Sequence, residues 1–240
     1  MTSTTKRHVV VLGGSSGIGL ATAQLAAQRG NRVTIGGRDQ ARLDAAVASI
    51  EGAAAVAVDA ESVDSLAAFF KATGLIDDFI VTITIRGHRS SRDAKDLGRR
   101  DLLASFNGKV VATLRAVGES LAVLSENGTI TLVGGITGQS AQSGTAEPAA
   151  INGAIEAAVP PLSRELAPIR VNAVSPGIIV TPWWDTLGDH RDEYLERFAA
   201  RAPLGRNGRP ENLAQAIFAL IENDFITGAV LPVDGGMRFT

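Results

Sequence analysis

The feature that most constrains this chain is the glycine-punctuated turn that follows its first apolar run, Val9-Val10-Val11-Leu12-Gly13-Gly14-Ser15-Ser16-Gly17-Ile18-Gly19. His8–Leu12 reads as a buried strand, residues 17–29 carry helical periodicity that stops before Gly30-Asn31, and residues 32–35 read as a second strand. This is one βαβ unit. Gly13 permits a tight turn, Gly17 leaves room for backbone to approach a pyrophosphate, and Gly19 lets the helix pack close to the sheet. The start of the helix adds free N–H donors and the positive end of its dipole, so this turn, completed by Ser15, Ser16 and Ile18, is a candidate anion cradle. A glycine repeat alone can mark only a loop. The strand before it and the helix after it favour a dinucleotide site.

The alternation continues along the chain. Leu43, Ala46, Val47 and Ile50 form a helical stripe behind Asp39 as N-cap, and Val63, Leu66, Ala67 and Phe70 repeat it behind Ser62. Strands are expected at residues 54–58, 79–85, 129–133, 169–174 and 230–233. A long helix is expected from Leu103 to Leu124, ended by Asn127-Gly128, with others within 149–166 and around 211–222. Strands separated by helices must pair in parallel, because each crossover returns the chain to the same edge. The expected fold class is therefore α/β, a Rossmann-type doubly wound parallel sheet of about seven strands with helices on both faces. A length of 240 residues with 45% hydrophobic content suits one such domain across 1–240. Pro160-Pro161 falls inside one expected helix, where a proline costs about 3 kcal/mol, so a kink or break is expected near Val159.

The formal net charge of -2 offers no general attraction to polyanions, so neither a nucleic-acid nor a membrane partner is expected. No apolar stretch reaches the roughly 18 residues of a membrane span. The chain has no Cys, which removes thiolate nucleophiles, and its 3 His include no pair at i, i+4, so no metal site is expected. The short polar start, Met1 to Lys6, lacks a signal-peptide pattern, and a cytoplasmic home is expected.

Gly13-x-x-x-Gly17-Ile18-Gly19 resembles the glycine motif of the short-chain dehydrogenases/reductases, and further segments match that family in order. These are Asp59-Ala60, then Asn172-Ala173-Val174-Ser175-Pro176-Gly177 with Thr181, then Gly228 with Asp234-Gly235-Gly236. The resemblance implies that Asp59 hydrogen-bonds an adenine, that Pro176 and Gly177 border the nicotinamide, and that Ile179 and Thr181 meet its carboxamide. An NAD-preferring site needs a carboxylate at the end of the second strand to hold the ribose 2′-OH, but this chain reads Gly36-Gly37-Arg38. A guanidinium suits a 2′-phosphate, so NADP(H) is the expected cofactor. A solvated Arg38 is the competing reading, and Ser16 stands where many NADP-specific relatives carry a base.

The resemblance also exposes departures. The positions of the family's catalytic Ser, Tyr and Lys fall on Gly135, Pro148 and Asn152, while its Asn is kept as Asn107. The only Tyr is Tyr194, and Val81-Thr82-Ile83-Thr84 replaces the family's Asn-Asn-Ala-Gly. Glu147 is a candidate donor if burial raises its pKa, and Thr145 or Ser143 a candidate partner for a carbonyl; a solvated loop is the alternative. Arg86, His88, Arg89 and Arg92 either grip an anion or, with Asp93, Asp96 and Asp101, form a solvated segment. Trp183-Trp184 either stack on a flat ligand or serve packing. Two functions follow. One is an NADP(H)-dependent oxidoreductase acting on a carbonyl, alcohol or activated double bond through a non-standard donor; the other is a non-catalytic nucleotide-sensing or assembly subunit. In the family, the helix containing Asn107 and the next one pair across a two-fold axis, so a homodimer or homotetramer is expected, with Pro160-Pro161 weakening that interface.

Overall fold

The computed structural model of the chain describes residues 6–84, 94–99 and 102–240. β1 (His8–Leu12) is buried along its whole length, as a strand covered by helices on both faces must be. It pairs in parallel with β2 (Arg32–Gly37), which carries β3 (Ala54–Ala57) outside it, and on its other side with β4 (Ile76–Val81). β5 (Leu124–Val133), β6 (Arg170–Pro176) and β7 (Val230–Val233) follow in turn, so the order is β3-β2-β1-β4-β5-β6-β7 with every pairing parallel. The winding reverses between β1 and β4. That reversal leaves a crevice beyond the carboxyl ends of the strands, the usual ligand site of such sheets.

Side chains alternate across the sheet, which is why one strand feeds two cores. Val9 and Val11 pack with Val33 and Ile35 under α1 (Gly17–Gln28), α2 (Gln40–Val47) and α8 (Pro210–Glu222), where Ala23, Leu43 and Phe218 are buried. Val10 and Leu12 pack on the opposite face under α3 (Val63–Thr73), α5 (Ala112–Ser120) and α6 (Ala146–Glu165), against Phe69, Val117 and Ile155. Each fully buried Leu, Ile or Phe contributes about 1.5–3 kcal/mol. α4 (Leu102–Phe106) joins α5 through a π-helical turn, Asn107–Val111, and α7 (Arg191–Arg201) follows the 3₁₀ segment Pro182–His190. Asp39 and Ser62 cap α2 and α3 as expected, accepting from the backbone N–H groups of Arg42 (3.1 Å) and Ser65 (3.3 Å).

Three expectations are corrected. First, α6 runs unbroken through Pro160 and Pro161. Both prolines are exposed, while Ile151, Ile155 and Val159 bury the opposite face, so packing offsets the missing N–H groups. Second, the long helix is shorter than expected. It ends at Ser120, because the chain turns at once into β5, and Ile76 pairs with Leu124 before the register shifts to Asp78 opposite Thr129. Third, β4 ends at Val81, where Thr82 donates its N–H to the Leu12 carbonyl (2.8 Å) and the chain leaves the sheet. Arg86, His88, Arg89, Arg92, Asp93 and Asp101 lie outside the described residues, as does the side chain of Asp96.

Candidate functional site

The crevice at the switch point is a cleft of about 1040 Å³ that begins at the glycine turn. Gly13 has φ +92°, a left-handed conformation that other residues adopt at a cost. A Cβ on Gly19 would lie 2.2 Å from the Gly13 carbonyl oxygen, so only glycine lets α1 start this close to the turn. Thr82 braces both from just beyond β4: its hydroxyl donates to the Leu12 carbonyl (3.1 Å) and lies 2.6 Å from where a Cβ on either glycine would sit. The first turn of α1 contains no acidic side chain, and Ser16 makes no side-chain cap. Its amides are thus available to an anion in the cleft.

Every residue read from the sequence as cofactor-binding lines this one cleft: Gly13, Ser15, Ser16, Gly17, Ile18, Gly19, Arg38, Asp59, Pro176, Gly177, Ile179 and Thr181. They come from four separate stretches of chain, gathered by the carboxyl ends of β1, β2, β3 and β6. Arg38 reaches the wall with Arg42, a second guanidinium that the sequence reading did not single out. Arg38 stands 3.8 Å from Glu61, both side chains being about half exposed, so the pair is worth only about 0–1 kcal/mol. Asp59 closes a local turn by accepting from the Glu61 N–H (3.0 Å). At the far end, Val180 N–H donates to the Gly208 carbonyl and Gly208 N–H to the Ile178 carbonyl, each at 2.9 Å, which fixes Ile179 and Thr181.

The wall between β5 and α6 holds Gly135, Pro148 and Asn152. A Cβ on Gly135 would lie 2.6 Å from the Asn152 amide nitrogen, so any larger residue at 135 would force the Asn152 side chain to shift. Asn152 donates to the Thr137 hydroxyl (2.8 Å) and accepts, through Oδ1, from the ammonium of Lys109 (2.6 Å). An ammonium has no acceptor, so this contact fixes the orientation of the amide. Lys109 also donates to the Gly134 carbonyl (3.0 Å). Burial pushes its pKa down from 10.5 to about 8, against the opposing pull of the Glu156 carboxylate. Glu156 is buried and accepts from Ser175 Oγ (2.6 Å) and Gln139 Nε2 (2.9 Å), tying the loop after β5 to the end of β6.

The structure does not bring Asn107 or Glu147 to the wall. Asn107 is exposed; the π turn holds one more residue than an α-helical turn, and Gly108 and Lys109 line the cleft instead. Glu147 is buried in the first turn of α6, whose cleft-facing stripe is Thr145, Pro148, Ile151 and Asn152 at helical spacing. The Thr145 hydroxyl donates to the Gln142 carbonyl (2.7 Å), whereas Ser143 is exposed on the wall. Lys109 and Glu156 escaped the sequence reading. Their only sequence trace is a lone charge on an otherwise apolar helical face.

The tryptophans divide the two roles proposed for them. Trp184 is buried, donates its indole N–H to the Ile179 carbonyl (2.7 Å) and packs on Tyr194, so it serves the fold. Trp183 sits edge-on to it at 4.5 Å, half-buried and lining the cleft. Arg197 and Arg201 of α7 extend this wall beside Tyr194 and Phe198.

Comparison with known proteins gives one consistent picture. The family model described as enoyl-(acyl carrier protein) reductase matches residues 13–238. Carbonyl reductase family member 4 of Xenopus laevis is 33% identical over 238 residues, covering 95% of this chain and 96% of that protein. Among solved structures, a short chain dehydrogenase/reductase family protein superposes with a TM-score of 0.85 at 31% identity over 98% of each chain. A small-chain dehydrogenase in complex with NADPH does so with a TM-score of 0.82 at 29% identity, covering 98% of this chain and 100% of that one.

Proposed function

The chain belongs to the short-chain dehydrogenase/reductase family, and from that premise we propose that it is an NADP(H)-dependent oxidoreductase that reduces a carbonyl or activated double bond without the family's Ser, Tyr and Lys. The observation that carries the reading is the convergence on one cleft of an amide-rich helix start, two guanidiniums, Arg38 just after β2 and Arg42 in α2, and the Pro176–Thr181 segment. A dinucleotide fits that donor set. The amides of α1 suit its diphosphate, Arg38 and Arg42 its 2′-phosphate, Asp59 its adenine, and Ile179 with Thr181 its carboxamide. When bound, the reduced nicotinamide supplies a hydride. The relative solved with NADPH agrees with this cofactor choice.

Gly135, Pro148 and Asn152 occupy the positions that the family resemblance assigns to the carbonyl-polarising hydroxyl, the acid and the cation. None can donate a proton as a phenol does, so this chain orients its substrate with other groups. The mouth suits a flat, anionic substrate. Trp183 offers a ring face or edge, and among the described residues neither Arg197 nor Arg201 is held in a salt bridge.

Titration of nicotinamide fluorescence followed by an NADPH-oxidation assay over ketones, enones and imines tests this reading. Binding with turnover of at least one class is the expected result. Binding without any turnover supports instead a nucleotide-sensing role.

A further inference from the structure

We propose that Lys109 is the proton donor of this reaction, with Asn152 and Glu156 as its positioning residues; the inference rests on the reductase reading above. Three observations converge on it. The ammonium lines the cleft beside the positions where the family's catalytic groups are replaced, because the π turn at Asn107–Val111 carries Lys109 to the wall. Among the described residues two acceptors engage its three N–H donors, Asn152 Oδ1 and the Gly134 carbonyl, which leaves one donor for a substrate oxygen. A Cβ on residue 135 would press on the Asn152 amide that holds the ammonium, so the three positions are packed as one unit.

The balance of the step is simple. The carbonyl carbon of the substrate gains a hydride from NADPH, the C=O π bond breaks toward oxygen, and that oxygen takes the proton from Lys109 Nζ. The products are an alcohol and NADP⁺, and the neutral amine regains a proton from solvent. A pKa of about 8 keeps the group largely protonated at neutral pH yet ready to give the proton up, the condition that favours general acid catalysis. Among the described residues, Glu156 of α6 is the charge that acts on it. The facing loop after β5 contributes Gly134 and Thr137, the end of β6 contributes Ser175, and the π turn contributes Asn107 and Gly108, all uncharged.

The test uses the full chain and the variants Lys109→Met, Lys109→Arg, Tyr194→Phe and Glu147→Gln. Wild type is expected to lose hydride-transfer rate as pH rises through about 8, where the acid deprotonates. Lys109→Met is expected to lose about 10²- to 10⁴-fold in kcat/KM with NADPH affinity kept within a few-fold. Lys109→Arg is expected not to rescue, because a guanidinium keeps its proton. An activity-independent readout accompanies these. Without cofactor, Lys109→Met is expected to melt higher than wild type at pH 7, and this gap to shrink by pH 10, because wild type sheds its buried charge above pH 8 while the unfolded chain keeps it.

Rescue by arginine, a flat wild-type profile through pH 8, a pH-independent melting gap, or a larger loss in Tyr194→Phe or Glu147→Gln than in Lys109→Met overturns the proposal. Failure of wild type to bind NADPH refutes the cofactor reading instead. NADPH binding with turnover that survives Lys109→Met refutes only the assignment of Lys109.

Discussion

Arg38 and Gly135 show how much of this site depends on single positions. The 2′-phosphate distinguishes NADPH from NADH, and a hydrogen bond to a charged group contributes about 1.5–3 kcal/mol, or roughly 10- to 100-fold in affinity. Arg38→Ala should therefore weaken NADPH by that factor and leave NADH nearly unchanged, as read by fluorescence titration. Glu61 is no strong competitor for the guanidinium at 3.8 Å. Gly135→Ser puts a hydroxyl where the family resemblance places one but drives a Cβ to within 2.6 Å of the Asn152 amide. The single variant should melt lower and lose activity rather than gain it. At the other end of the sheet, buried His8 donates from Nδ1 to the Leu75 carbonyl (2.7 Å) and accepts at Nε2 from Thr34 (2.9 Å), so burial holds it neutral with its pKa below 6.5. Its contribution is complete above pH 6.5 and is lost as pH falls below that, through the lower folded-state pKa. Urea midpoints at pH 7.5 and 5.5 should fall more steeply for wild type than for His8→Leu.

At the scale of elements, α6 is the most instructive. A proline in a helix interior removes an i to i−4 bond at about 3 kcal/mol, part of which returns through the stiffer unfolded chain. Pro160→Ala should raise the melting temperature, and an unchanged or lower one contradicts the view that apolar burial carries α6 past its prolines. Local rules alone predicted a break there, because they cannot weigh Ile155 and Val159 docking on the sheet. The strands, the glycine turn and the caps at Asp39 and Ser62 were legible, since each depends on neighbours a few residues away. α7 was not: its residues, RDEYLERFAAR, are mostly charged, and Phe198 finds apolar partners in Ala202 and Met237, with Ile178 and Tyr194 packed beside them. Lys109 was hidden for the same reason. Its burial and low pKa come from α6 packing across the π turn, a contact between residues 43 apart in sequence.

For the molecule as a whole, the sheet order explains why one cleft collects residues from nearly the full length of the chain. Parallel strands end on the same side, and the reversal between β1 and β4 opens the crevice there. No helix among the described residues is long and apolar enough to cross a membrane. Leu103, Leu114 and Leu121 remain exposed on α4, α5 and the turn after them, the helices through which the family resemblance predicts pairing. Light scattering coupled to size exclusion should give twice or four times the chain mass of 24.9 kDa, and Leu103→Glu with Leu114→Glu should shift it toward the monomer. The most direct measurement of the account is calorimetric titration of the wild-type chain with NADPH and NADH. The account predicts one site per chain that binds NADPH at least about tenfold more tightly than NADH. Equal affinities, or no heat from either nucleotide at millimolar concentration, would contradict it.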